Sequence, residues 1–184
     1  MSDLQSLRDR HIGEECWIVG LGPSIQHLSA DHFGSGPIIT INEAILKVEA
    51  LALTNETYSM QKDGWPNFMV RPADHVTLLL QTGLSDQFFP DHPKRIFFNP
   101  MSDWKFKFTE MSIRMCIALA KTMGCTAISF VCCDSLTTNE FRRYSPKDNS
   151  MLDGQAGYYS YVKPLVLEDV RNIDHRFILP KGIA

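Results

Sequence analysis

No stretch of the chain approaches the roughly 18 consecutive apolar residues of a membrane span. The first ten residues are polar and of mixed charge, without the apolar core of a signal peptide. The five cysteines (Cys16, Cys116, Cys125, Cys132 and Cys133) are an odd number and include no CxxC pair. They read as reduced, buried thiols of a reducing compartment, and the cytoplasm is the expected location. Thiolate ligand pairs at short spacing are lacking, and the six histidines form no HxH or HExxH. A divalent cation is therefore compatible with the chain, but nothing in the sequence demands one. A surplus of positive charge is also lacking: 21 acidic residues face 18 basic ones, for a net charge of −3. That argues against a nucleic-acid partner. With 44% apolar residues the 184-residue chain can bury a sizeable core, and one domain over residues 1–184 is the expectation.

Short apolar runs rich in β-branched and aromatic residues alternate with turns and helical patterns. Cys16-Trp17-Ile18-Val19, Pro37-Ile38-Ile39-Thr40-Ile41, His75-Val76-Thr77-Leu78-Leu79-Leu80 and Arg95-Ile96-Phe97-Phe98 read as strands. So do the run from Ala127 to Cys133 and, near the end, Arg176-Phe177-Ile178-Leu179. Leu51-Ala52-Leu53-Thr54 and Tyr58-Ser59-Met60 are weaker strand candidates. Residues 110–123 carry the best helical periodicity, stopped by Gly124, and residues 158–170 form a helix despite Pro164. Asn42 reads as an N-cap for the segment behind it. Residues 135–157 read as a surface loop or lid. Trp104, Phe106 and Phe108, alternating with lysines, read as a half-buried edge strand. The strands lack polar alternation, so both sheet faces are expected to be covered. The expected class is α/β, a largely parallel sheet with helices on both faces.

Chemistry concentrates where strands end. Gly20-Leu21-Gly22-Pro23-Ser24 follows the first strand and lets the backbone turn tightly beside a ligand, with a helix start behind it that suits a phosphate. The dinucleotide fingerprint GxGxxG is broken after the second glycine, and the Walker pattern is absent. Hydride transfer with NAD therefore ranks behind the other readings. Ser24, Asn42, Asp63 and Asp134 fall at strand ends, where open parallel sheets bind ligands. Asn42 and Asp63 carry groups that read a base edge or ribose hydroxyls, although a helix cap and a turn residue explain them equally well. Arg142 and Arg143 either clamp a phosphate or belong to a solvated loop.

These blocks carry a resemblance. Ile18-Val19-Gly20-Leu21-Gly22-Pro23-Ser24 resembles the GxGPS opening of two related groups: archaeal 6-hydroxymethyl-dihydropterin pyrophosphokinases and bacterial sialyltransferases that use CMP-sialic acid. The helix opening at Ser112, the run from Ala127 to Phe130, and Asp134 are similar to their second block, and Asn42 matches their strand-end Asn. The likeness runs as far as Asp134. It implies a single Rossmann-like nucleotide-binding domain, with the nucleotide held by Gly20, Gly22, Pro23, Ser24, Asn42, Asp63 and Ser112. It also implies transfer from an activated donor (a CMP-sugar, or ATP) to an acceptor that the sequence does not identify, with glycosyl transfer ahead of pyrophosphoryl transfer. Asp134, Tyr158 and Tyr159 become the catalytic candidates, and Arg142 and Arg143 the phosphate contacts of the lid. This chain departs from the pattern at three places. Leu21 stands where the sialyltransferases have Asn, and Cys132 where a Gly precedes the last Asp. Gly157-Tyr158-Tyr159 stands where a His is expected. A tyrosine, with a pKa of about 10, is a poor base at neutral pH. A module that binds or sequesters a nucleotide after losing its catalytic base is therefore the alternative.

Overall fold

A computed structural model describes residues 3–61, 69–106, 111–138, 141–154 and 156–181; the side chains of Ala156, Tyr158 and Tyr159 lie outside the description. Strands β1 (Glu15–Val19), β2 (Ile38–Ile41), β3 (Thr57–Gln61), β4 (Thr77–Gln81), β5 (Arg95–Phe98), β6 (Ala127–Val131) and β9 (Asp174–Ile178) form one sheet. Its order is β5-β4-β3-β2-β1-β6-β9, and every neighbouring pair is parallel. The chain winds outward from β1 to β5, then returns to the other side of β1. The order reverses between β1 and β6, where Val19 stands opposite Val131. This is the α/β, Rossmann-like domain expected. Among the described residues no helix is long and apolar enough to cross a membrane.

Period-two alternation divides the strands between two layers. Cys16 and Ile18 of β1 join a core with α3 (Ser112–Thr122) and α4 (Ala156–Asp169). Trp17 and Val19 join a second core with α1 (Ala44–Glu49). Both faces are buried, which is why the strands read as unbroken apolar runs. Helix α3 turns Met115, Cys116, Leu119 and Ala120 inward and stops at Gly124, whose φ of +81° suits glycine. Helix α4 tolerates Pro164 while burying Val162 and Val166, one turn apart, with Val170 just beyond its end. Arg114 clamps α3 to α4 through both oxygens of Asp169, at 2.5 and 2.9 Å. All five cysteines are buried and unbridged.

Several local expectations are corrected. Leu51-Ala52-Leu53-Thr54 is a turn after α1, with Ala52 at φ +51°. Trp104 ends the short helix α2 (Pro100–Asp103) rather than lying in an edge strand. Its ring packs 5.2 Å from Phe98, and its indole N–H donates to Thr122. Phe108 lies outside the described residues. β6 stops at Val131, because Cys132 turns into the left-handed region at φ +56°. Asn42, at φ +47°, is a left-handed turn residue and not an N-cap; Glu43 precedes α1 and makes no side-chain cap. Residues 135–157 are not a plain loop. They open with a 3₁₀ turn, Asp134–Leu136, and then form an antiparallel hairpin of β7 (Arg143–Ser145) and β8 (Ser150–Leu152).

Candidate functional site

At the carboxyl ends of β1, β2 and β6 lies a cleft of about 240 Å³. Its walls come from residues 20–22, 41–42, 132–136 and 142–143, the start of α3, and Val162. This is where an open parallel sheet leaves a crevice, because the connections on either side of the reversal run apart.

The glycine turn is built against the end of β6. The Gly20 amide donates to the Val131 carbonyl and the Gly22 amide to the Cys132 carbonyl, both at 2.8 Å. A Cβ on Gly20 would lie 2.7 Å from that Cys132 carbonyl oxygen. A Cβ on Gly22 would lie 2.0 Å from an Asp134 carboxylate oxygen. Both glycines are thus required by close packing across the switch point. Pro23 opens a 3₁₀ turn, Pro23–His27. Ser24 donates from its amide (3.1 Å) and its hydroxyl (2.7 Å) to the two oxygens of Asp134. The pair is buried and joins the β1 turn to the β6 end, 110 residues away. The amides of Gly20, Gly22 and Ser24 are therefore all engaged within the fold.

The cleft's other features come from different elements. Asn42 is buried at the end of β2, in the left-handed region. Cys132 occupies a left-handed position at the end of β6. Burial pushes its thiol up to about 12, and pushes the Cys133 thiol well above its usual range. Neither is poised as a nucleophile. Helix α3 points its first turn, Ser112 and Ile113, at the cleft and has no side-chain cap. The first amides of an α-helix have no intrahelical acceptor and sit at the positive end of its dipole.

The start of the hairpin forms one wall of the space. Arg142 and Arg143 line it, and Tyr144, expected beside them on a surface loop, is buried. The Tyr144 amide donates to the Leu21 carbonyl at 2.8 Å. Arg143 pairs with Glu43 at 3.2 Å, and Ser145 donates to the same carboxylate at 2.7 Å. Glu43 was not singled out by the sequence, where an acid opening a helix looks ordinary. Apolar Leu21, Ile41, Met111 and Leu136 complete the walls and carried no chemical signal of their own.

The structure thus brings together Gly20, Gly22, Asn42, Ser112, Asp134, Arg142 and Arg143, with Ser24 behind Asp134. Asp63 lies outside the described residues. Tyr158 and Tyr159 fall in the first turns of α4, their side chains outside the description. Among the described residues no group of His, Cys, Asp and Glu is placed to hold a metal ion. Compared with known proteins, the chain matches no family model and no curated protein sequence.

Proposed function

We propose that the cleft holds a nucleotide-activated donor and that the protein is a small transferase, with glycosyl transfer from a CMP-sugar ahead of pyrophosphoryl transfer from ATP. The observation that carries this reading is the division of the cleft at the strand-order reversal. Apolar Leu21, Ile41 and Leu136 offer a surface for a ring, while Asn42, the first turn of α3 and the two arginines offer hydrogen bonds and positive potential. The Gly20 and Gly22 amides are engaged elsewhere, so the phosphate falls to α3 and the arginines. In glycosyl transfer the bond between the anomeric carbon and the phosphate oxygen breaks, and the nucleotide leaves with the electron pair. The acceptor hydroxyl attacks the same carbon and releases its proton to solvent. Donors preorganised around the leaving phosphate lower that barrier.

A second reading, a binding module without turnover, is favoured by one observation. Both oxygens of Asp134 are taken by Ser24, and no histidine lines the cleft among the described residues. One experiment tests both. Thermal unfolding is followed with CMP, CDP, UDP, ADP, ATP and NAD, then with variants Asn42→Ala and Arg142→Ala. A ligand at a hundred times its dissociation constant stabilises by about 2.7 kcal/mol. A cytidine-selective shift weakened in both variants supports the glycosyl donor, and an ATP-selective one the pyrophosphoryl donor. Release of free nucleotide from the bound donor separates a transferase from a module that returns its ligand unchanged. No shift with any of them overturns the nucleotide reading.

A further inference from the structure

The hairpin that brings Arg142 and Arg143 to the cleft belongs to no main-sheet strand. It is fastened by contacts to two walls that the chain reaches about 100 residues earlier. On the β1 side, the Tyr144 amide meets the Leu21 carbonyl and the Tyr144 ring enters the core beneath. On the β2 side, Glu43 takes both Arg143 and Ser145, one on each carboxylate oxygen. Glu43 is 1% exposed. Its charge has left water, and its two named partners both sit on β7. A buried carboxylate deprived of its partners is strongly disfavoured. Lifting the hairpin would separate these groups, so the closed position is the one that satisfies Glu43.

We propose that Glu43 is a positioning residue: it latches the β7–β8 hairpin as a lid over the cleft and holds Arg143 at its wall without itself touching the ligand. This rests on reading the cleft as a ligand site but not on which nucleotide occupies it. The latch is made by groups of this chain alone, so the closed lid needs no ligand contact to hold it, and a ligand enters through its transient opening. Weakening Glu43 should then speed ligand release more than it alters the walls.

Hydrogen exchange on the 184-residue chain, read by mass spectrometry, tests the latch first without ligand. The amides of residues 143–152 are compared with those of α3, which reports global opening. Glu43→Gln and Arg143→Met should each raise hairpin exchange at least about tenfold, the least expected from one lost charge-assisted bond, with α3 unchanged. The double variant Glu43→Gln/Arg143→Met removes the stranded charge and should regain most of the protection; a general loss of stability would add instead. Unchanged hairpin exchange in both single variants overturns the proposal, as does an equal rise in α3. CMP and ATP are then added. Slower hairpin exchange in the wild type, with faster nucleotide release from Glu43→Gln, supports the lid. A hairpin loosened by Glu43→Gln in a protein that binds neither nucleotide keeps the latch and overturns the nucleotide reading alone. Nucleotide binding with unaltered release from Glu43→Gln overturns the lid and leaves that reading standing.

Discussion

The two ends of the sheet both gather polar side chains, and they do so differently. At the amino ends of β1 and β3, His11 is buried between Tyr58 (3.1 Å), Glu14 (3.3 Å) and Glu56 (3.4 Å), and Arg10 closes on Glu56 at 2.9 Å. Those groups meet one another directly. At the carboxyl ends, Asp134, Asn42 and the arginines stand around a space. The comparison teaches that a cluster of titratable residues does not itself make a site. The amino end stitches the segment before β1 to β3, over 46 residues of chain. The carboxyl end keeps a cavity because the connections diverge there.

The largest expected effect that separates the ends is at two glycines. Gly22→Ala drives a Cβ to 2.6 Å from the Asp134 carboxyl carbon. It should cost roughly 2 to 3 kcal/mol in urea denaturation and weaken the nucleotide binding proposed above at least about tenfold. Gly13→Ala meets nothing within 4 Å, but sits at φ +80°. It should cost about 1 kcal/mol and leave binding intact. Equal losses of affinity would erase the distinction.

Next come the hydrogen bonds. Asp134→Ala strands two buried Ser24 donors, with an expected loss of roughly 2 kcal/mol and of nucleotide affinity. Tyr58→Phe removes one bond to His11, with a loss of about 1 kcal/mol and unchanged affinity. Equilibrium denaturation and titration calorimetry on the same samples check both.

Alkaline pH sharpens the comparison between one buried thiol at the cleft and one buried phenol at the amino end. Burial raises both Cys132, to about 12, and Tyr58, well above its usual range. A raised native pKa means that the unfolded chain loses its proton first, so stability falls as pH rises. For Cys132 the fall begins near the unfolded thiol value of about 8.5, at about 1.4 kcal/mol per pH unit until the folded thiol also ionises. For Tyr58 it begins near about 10. Cys132→Ala should flatten the fall of Tm from pH 8.5 onward, and Tyr58→Phe only above about pH 10. The smallest effect is expected for Arg10→Met. Its ion pair with Glu56 is 51% and 36% exposed, so the loss should stay within about 1 kcal/mol and shrink in salt.

Much of the fold was legible because burial on both faces leaves uninterrupted apolar runs. β1, β2, β5, β6, α3 and α4 all fall within a few residues of where the pattern puts them. β3 was only a weak candidate, and the run before it proved to be a turn, because a short apolar segment does not say whether a neighbouring strand will pair with it. The left-handed turns at Asn42 and Cys132 were hidden for another reason. Neither residue is glycine: Cys132 carries no mark of a left-handed backbone, and Asn42, a type enriched there, suits equally the helix cap it was read as. In the cleft, Gly20, Gly22, Asn42, Ser112 and Asp134 were found because strand ends and helix starts are local features. Glu43 was not, since its partners Arg143 and Ser145 lie 100 and 102 residues further on.

By itself the sequence determined the alternation of strand and helix, the burial of both sheet faces and the set of polar residues at strand ends. Each is set by side-chain chemistry over a few residues. The tertiary structure alone decided that β6 returns beside β1, that Ser24 closes on Asp134, that this carboxylate leaves no room for a Cβ at Gly22, and that a hairpin is fastened beside the cleft. Those outcomes depend on contacts between segments about 100 residues apart, and they are set by which arrangement brings buried charges and backbone amides to partners.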